Sequence, residues 1–292
     1  MSTVRGHPDS RLPAATRPGA VTLAVADAAS QEAFYRDGVG LEVLARDTAV
    51  IELGTGTGPL VRLLPGAQRQ RSSGSPGLYH LAVLLPDRAA LGAWLAHALA
   101  LGTPLQGAAD HEVSEAIYLA DPEGNGVEVY RDRPRHAWRV DAGSVHMVTE
   151  PLDAHAVVDA ATGSWAGAPA ATTIGHVHLQ VSDLDRSRSF YAGALGLRVT
   201  SDAFRGACFL AAGDYHHHLG LNTWATRPGS AGVAAGTGLV EFELVLPTAR
   251  HVALTVARLK GAGVVVRSEG PAPFFADPDG IGLRLRSADE GR

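Results

Sequence analysis

Between Gly175 and Ser182 the chain alternates. Val177, Leu179 and Val181 fall on one face and His176, His178 and Gln180 on the other, the period of a half-buried strand. The stretch that follows, DLDRSRSFYAGAL, changes period. Phe190, Tyr191 and Leu195 recur at helical spacing, Asp183 sits where an N-cap is favoured, and Gly196 stands where a helix is expected to end. Short apolar runs bounded by Gly and Asp come next, predicting short closing strands.

The same order recurs along the chain. FYRDGVGLEV from Phe34 and FYAGALGLRV from Phe190 lie 156 residues apart. VTLAVAD ending at Asp27 and VHLQVSD ending at Asp183 share that separation, as do DPEGNGVEV from Asp121 and DPDGIGLRL from Asp277. The openings GLYHLAVLLP at Gly77 and GLVEFELVLP at Gly238 are 161 apart. Self-similarity at a fixed period marks repeated supersecondary units. Four units of two alternating kinds result, each a strand, a helix and then short strands. The expected fold is α+β, four βαβββ modules arranged as two paired-module domains. Residues 1–18, rich in Pro, Arg and Ser, read as a flexible tail. Residues 19–135 hold the first pair of modules, 136–172 a connecting segment with short helices, and 173–288 the second pair.

Composition narrows the function classes. The chain is 292 residues long and 46% hydrophobic, with a formal net charge of −5. Its mean hydropathy is +0.04 and its pI about 6.2. Such a balance offers no general attraction to nucleic acid or to an anionic membrane surface. Cys208 is the single cysteine, so no intrachain disulfide forms, as suits a reducing compartment. No apolar run reaches the roughly 18 residues of a membrane span. The first twenty residues lack the apolar core of a secretion signal. A cytoplasmic protein is expected; a homo-oligomer is left open.

The repeated unit resembles the vicinal oxygen chelate superfamily, and within it the two-domain extradiol (catechol 2,3-) dioxygenases of the wider glyoxalase-like group. The resemblance spans about Gly19 to Arg286. It is carried by the openings at Gly77 and Gly175, the two FY…LG helix ends, YHHHLGLNTW and YLADPEGNGVEVYRDRP. In that superfamily two units share a cavity, and each can offer a metal ligand from its first strand and one from its last. The first-strand position lies seven residues before the residue that opens the helix. It is His80 in unit 2 and His176 in unit 3, but Ala20 in unit 1 and Glu241 in unit 4. The last-strand position is Glu128 in unit 2 and Arg284 in unit 4.

The resemblance therefore implies a metal site of His80, Glu128 and His176, the two-histidine, one-carboxylate set that holds Fe(II) with positions left open. Mn(II) accepts the same ligands, and O2 is the implied co-substrate. Glu241 and Arg284 cannot build such a site, and an ion pair filling the dead position is expected instead. In many extradiol enzymes the ligands lie in the last two units; here they lie in the middle two. Glu128 and Tyr118 should face each other across a hairpin centred on Glu123 and so enter one cavity.

The three histidines of GDYHHHLGLNTW are assigned next. In extradiol enzymes a histidine near this point takes a proton from the catechol and later returns it. The pattern His-x-apolar-small-apolar fits with His217 first, and imidazole suits the work because its pKa lies near working pH. A different strand register would hand the role to His218 or His216, and His218 is also a candidate substrate contact. Tyr118 has the spacing of the extradiol tyrosine that hydrogen-bonds the catecholate. His111 is a candidate for reaching the ring from the preceding loop. Phe209 and Trp224 are assigned to core packing in preference to the cavity wall.

The implied activity is Fe(II)-dependent extradiol cleavage of a small catechol-like aromatic substrate. Two readings compete on the same fold. A glyoxalase-type isomerase or transferase usually needs a fourth protein ligand, for which unit 3 offers only histidines or Asn222. A small-molecule-binding resistance protein needs no such triad.

Overall fold

The strand Thr173–Gln180 lies between Gly77–Leu85, antiparallel to it, and Leu219–Asn222, parallel to it. That arrangement joins unit 3 to unit 2. The computed structural model describes residues 11–227, 230, 236–268, 270 and 272–289. Among these, two large sheets carry the architecture. One has nine strands, built on Gly77–Leu85 and Thr173–Gln180, with the closing strands of units 2 and 3 outside them. The other has seven strands, where Arg17–Val25 of unit 1 pairs antiparallel with Gly238–Leu246 of unit 4. Each sheet therefore combines one unit from residues 19–135 with one from 173–288. In every unit the opening strand runs parallel to the closing one, the closing strands being Gly58–Pro65, Gly126–Asp132, Leu219–Asn222 and Gly282–Ser287.

Alternation decides which face is which. Leu81, Val83, Val127, Val129, Val177 and Leu179 are fully buried and merge with Leu23, Leu63, Leu244 and Leu285 of the other sheet in one apolar cluster. The opposite face of the nine-stranded sheet carries His80, Ala82, Glu128, His176 and His178. Burying the first face supplies the hydrophobic drive; the second is left for chemistry.

The predicted N-cap is present, with Asp183 Oδ1 accepting the Arg186 N–H at 2.9 Å. The helix is not regular, however. Leu184–Arg188 widens into a π-helical turn over Ser189–Ala194, with Leu195 N–H donating to Phe190 O at 2.9 Å. Unit 1 does the same, Ala28–Ala33 widening over Phe34–Val39. The widened turn coincides with the Phe-Tyr pair and sinks the tyrosine into the core. The Tyr35 hydroxyl donates to Asp121 Oδ2 at 3.2 Å, and that of Tyr191 to Asp277 Oδ2 at 2.9 Å. Each of these aspartates also folds its own turn. Asp121 Oδ1 accepts the Glu123 and Asn125 N–H groups at 2.9 Å, and Asp277 Oδ1 those of Asp279 and Ile281 at 2.8 Å. The two repeated motifs are therefore halves of one latch. It ties unit 1 to unit 2 and unit 3 to unit 4 across the sheets, while the sheets themselves join 2 to 3 and 1 to 4.

Residues 1–10 lie outside the described residues. From Leu12 the expected tail is packed: Leu12 is buried and its N–H donates to Gly196 O at 2.9 Å, and a strand begins at Arg17. The connecting segment carries a 3-10 turn at Arg135–Ala137, a short helix at Ala154–Val158 and two-residue strands. No helix is long and apolar enough to cross a membrane among the described residues.

Candidate metal centre

Three adjacent strands bring the predicted ligands together. In the strand registers Ala82 lies between Glu128 on one side and His176 on the other, and His80 pairs with His178. Ala82 is small enough to leave the space above it to its larger neighbours. An irregularity in the pairing between Ile174 and His176 bends the strand just before His176. Gly175, at that bend, cannot carry a side chain, because a Cβ there would lie 1.8 Å from the Tyr130 hydroxyl oxygen.

The result is a tight triangle of donor atoms. His80 Nε2 lies 3.1 Å from Glu128 Oε2, His176 Nε2 lies 3.3 Å from the same oxygen, and the two imidazole nitrogens are 3.2 Å apart. All three residues are buried. Ligands about 2.1 Å from a shared centre and at right angles stand about 3.0 Å apart, so the triangle fits three neighbouring positions around a small divalent cation. Three lone-pair-bearing atoms this close are poorly satisfied by protons and well satisfied by a cation. Burial, above all, holds the His80 imidazole down to about 3, with Glu128 pulling the other way. Burial opposes ionisation of Glu128, but His176 and His80 beside it bring it down to about 2. Neutral imidazole and ionised carboxylate are the forms that bind metal.

The triangle forms part of the wall of a cavity of about 420 Å³. Tyr118 opposes Glu128 directly in the strand register, as expected, and enters the same cavity. Its hydroxyl donates to His111 Nε2 at 2.6 Å, and His111 Nδ1–H donates to Val148 O at 2.5 Å. The backbone carbonyl fixes the His111 tautomer, because it can only accept. His111 lines the cavity with Tyr118. Burial first, then the Glu128 charge, pushes the Tyr118 phenol well above its ordinary value, so it stays protonated.

Of the three consecutive histidines, His217 alone lines the cavity among the described residues. Its ring lies 4.1 Å from that of His176 and 4.9 Å from Phe209. Burial, then His176, lowers it well below the usual imidazole range. His218 is not part of the wall. Its ring stacks on Tyr215 at 4.7 Å, and its Nδ1 accepts the Ala212 N–H at 3.2 Å. His216 turns towards Asp132, its Nε2 lying 2.9 Å from Oδ1.

The wall contains residues to which the sequence assigned no such role. His178 stands beside His80, their rings 4.9 Å apart, with Asn222 Nδ2 donating to its Nε2 at 3.0 Å. Gly220 lies beneath that ring, since a Cβ there would meet it at 2.7 Å. The alternation had placed His178 on the face of His176, the one signal available. Phe209 and Trp224, assigned to core packing, line the cavity instead. Trp224 is half exposed and meets Tyr79 edge to face at 5.5 Å.

Comparison with known proteins agrees with this picture. The family model described as Glyoxalase/Bleomycin resistance protein/Dioxygenase superfamily matches residues 17–129 and 173–285. A catechol-2,3-dioxygenase of Bacillus subtilis (strain 168) is 38% identical over 252 residues, covering 84% of this chain and 88% of the relative. A crystal structure from Bacillus subtilis subsp. subtilis str. 168, described as a candidate dioxygenase, superposes with a TM-score of 0.67 at 13% identity, covering 95% of this chain and 86% of that one. Glyoxalase I from Zea mays superposes with a TM-score of 0.58 at 18% identity over 95% and 94% of the two chains. At such identities the two structures speak for the fold alone.

Proposed function

The chain belongs to the glyoxalase/bleomycin resistance protein/dioxygenase superfamily, and from that premise we propose that it is an extradiol dioxygenase. Its reaction is the opening of a catechol-like ring beside the two hydroxyls, with O2 as co-substrate. The observation that carries this reading is the convergence of His80, Glu128 and His176 in a cavity that also holds His217 and the Tyr118–His111 pair. Two histidines and one carboxylate leave other coordination positions free, the donor set of non-haem Fe(II) oxygenases; Mn(II) fits the same atoms. When bound, the ion would supply a Lewis-acidic, redox-capable centre at which an aromatic diol and O2 can meet.

The protein's own groups divide the remaining work. His217, kept neutral by burial, takes the proton of a substrate hydroxyl and later gives it back. The Tyr118 oxygen, whose proton is directed to His111, is free to accept a hydrogen bond from the second hydroxyl. Aromatic walls at Phe209, Tyr79 and Trp224 hold the ring and keep water from the reacting atoms. No Lys or Arg lines the cavity among the described residues, which favours an uncharged ring. An isomerase site would call for a further carboxylate in unit 3. The register puts Gly220 at that point, paired with His178 as Glu128 is with Ala82, and Asn222, two residues on, gives its amide to His178.

The test is anaerobic loading with Fe(II), then oxygen, with a panel of catechols. Ring opening to a yellow product with one O2 consumed per turnover is expected. His80→Ala should bind the ion poorly and lose that turnover. Full metal occupancy and activity in His80→Ala would sink the assignment, as would an iron-loaded wild type that opens no ring.

A further inference from the structure

Behind His217 a chain of hydrogen bonds runs away from the cavity. Its Nδ1 lies 2.7 Å from Nδ1 of His216, and Nε2 of His216 lies 2.9 Å from Asp132 Oδ1. The other carboxylate oxygen, Oδ2, accepts the Tyr215 hydroxyl at 2.8 Å, and Tyr215 is 2.9 Å from the hydroxyl of Tyr130. Asp132 follows Glu128 on the same strand at two further steps of the strand period, with Tyr130 between them. One face of one strand therefore presents both a metal ligand and this remote carboxylate. Trp138 packs over His216 at 5.2 Å and Arg135 sits 5.6 Å from the Tyr215 ring, closing the outer side.

An ionised carboxylate has no proton to donate, so His216 must carry its hydrogen on Nε2. A neutral His216 then offers a lone pair at Nδ1. The short contact between the two Nδ1 atoms needs one hydrogen, and it must come from His217. His217 is thereby fixed as the Nδ1–H tautomer, with Nε2 unprotonated. Burial lowers both imidazoles, which supports their neutrality.

We propose that Asp132 is a positioning residue that sets the tautomer of His217 through His216, so that the one histidine of the triplet in the cavity wall keeps an unprotonated Nε2 for the hydroxyl of an aromatic diol. The identity of that proton donor rests on the function proposed above; the tautomer does not. No other arrangement of hydrogens satisfies the carboxylate and both neutral rings at once. The same logic gives the triplet its purpose: His217 faces the cavity, His216 connects it to Asp132, and His218 packs against Tyr215.

Asp132→Asn tests the relay with little change of shape. Its side-chain oxygen keeps the Tyr215 hydroxyl, and its NH2 then faces His216 Nε2. His216 must become the Nδ1–H form, and His217 must switch to Nε2–H. Ring ¹⁵N–¹H correlation spectra of the metal-free protein, assigned with His217→Phe, read this directly. His217 as Nδ1–H in the wild type and as Nε2–H in Asp132→Asn is the expected result, with metal affinity and thermal midpoint little changed. In the iron-loaded enzyme kcat should then fall about 10²–10⁴-fold, as for loss of an acid-base group, with KM nearly constant. Asp132→Glu should restore part of the rate. A wild-type His217 found as Nε2–H or as the cation overturns the proposal, as does an unchanged His217 in Asp132→Asn. Should the variant fail to fold, the wild-type spectrum decides alone. Because the spectra need no substrate, absence of ring cleavage counts against the reaction and leaves the relay itself standing.

Discussion

Arg284 holds the Glu241 carboxylate through two parallel hydrogen bonds of 2.8 Å, Nε to Oε1 and Nη2 to Oε2. In the repeat these residues stand where unit 2 has Glu128 and His80. The seven-stranded sheet thus supplies its own cation at the place where the nine-stranded sheet gathers the donors proposed to hold one. The substitution extends further. Glu243, at the position of Ala82, is bound by Arg62 at 2.7 Å and fills the space that Ala82 leaves open beside His80, Glu128 and His176.

Breaking the pair should destabilise the fold without touching the reaction. Among the described residues, Glu241→Ala leaves Arg284, whose side chain is 21% exposed, with the Ala272 carbonyl at 3.2 Å and the Phe274 ring at 5.4 Å. The loss should be about 1–3 kcal/mol, between the values typical of exposed and buried pairs. Glu241→Ala with Arg284→Met should recover part of it, since no charge is then stranded. Denaturant midpoints measure both. An unchanged midpoint in Glu241→Ala, or a lost turnover per folded molecule, would count against a purely structural pair.

Gly175 and Tyr130 should be coupled. With a Cβ meeting the Tyr130 hydroxyl oxygen at 1.8 Å, Gly175→Ala must displace the Tyr130 ring or the strand that carries His176, whose ring centre is 5.0 Å from it. Overpacking of this kind costs about 1–3 kcal/mol, and metal affinity should fall as His176 shifts. Tyr130→Phe removes the closest of three contacts, leaving ring carbons at 2.7 and 3.0 Å, so the double variant should recover part of the loss and be more stable than the sum of the two single losses predicts. Simple additivity in the double-mutant cycle would mean that the two sites do not meet as described.

The lack of cationic side chains in the cavity wall, among the described residues, sets a preference among substrates. A ring carboxylate there would give up water for the aromatic wall of Tyr79, Phe204 and Trp224 with no partner charge, which is costly. Catechols with alkyl or aryl substituents should bind the metal-loaded protein, without oxygen, at least tenfold more tightly than dihydroxybenzoates. Calorimetric titration checks this, and equal or tighter binding of the acids would contradict it.

Much of the site was legible because it is repeated. The resemblance supplied the ligand positions and the repeat mapped them onto His80, Glu128 and His176, while the hairpin centred on Glu123 placed Tyr118 opposite Glu128, as the register shows. Glu241 and Arg284 emerged by the same logic. What escaped was non-local or unrepeated. Asp132 meets His216 across 84 residues, a contact with no counterpart among the motifs. Trp224 follows the triplet in an apolar run that looks like core, yet the strand pairing ends at Asn222 and the chain leaves the sheet there. The union of unit 2 with unit 3 depends on pairing between Gly77–Leu85 and Thr173–Gln180, which local patterns cannot order. The π-helical turns escaped for a subtler reason: Phe190 and Tyr191 satisfy helical spacing, and only the distant Asp277 shows why the turn must widen.

Acid should unfold the metal-free protein early, and the histidines give the reason. His80 and His218 are both lowered by burial from 6.5 to about 3. An unfolded chain takes up a proton on each below pH 6.5, whereas the folded protein does so only near pH 3. Unfolding therefore absorbs protons throughout that window, and stability falls as pH drops through it. Burial acts in the same direction on His178, His216 and His217. Glu128, lowered from 4.5 to about 2, adds a further loss between those values, because the unfolded carboxylate is protonated first. The unfolding midpoint should rise steadily with pH from about 3 to 6.5 and level off above. His218 lies outside the cavity wall, so His218→Asn, which can still accept the Ala212 N–H, isolates one contribution. Its pH slope should be smaller by about one proton near pH 5. A variant with the wild-type slope would show that His218 titrates normally in the folded protein, and the stacked, neutral ring assigned to it would have to be abandoned.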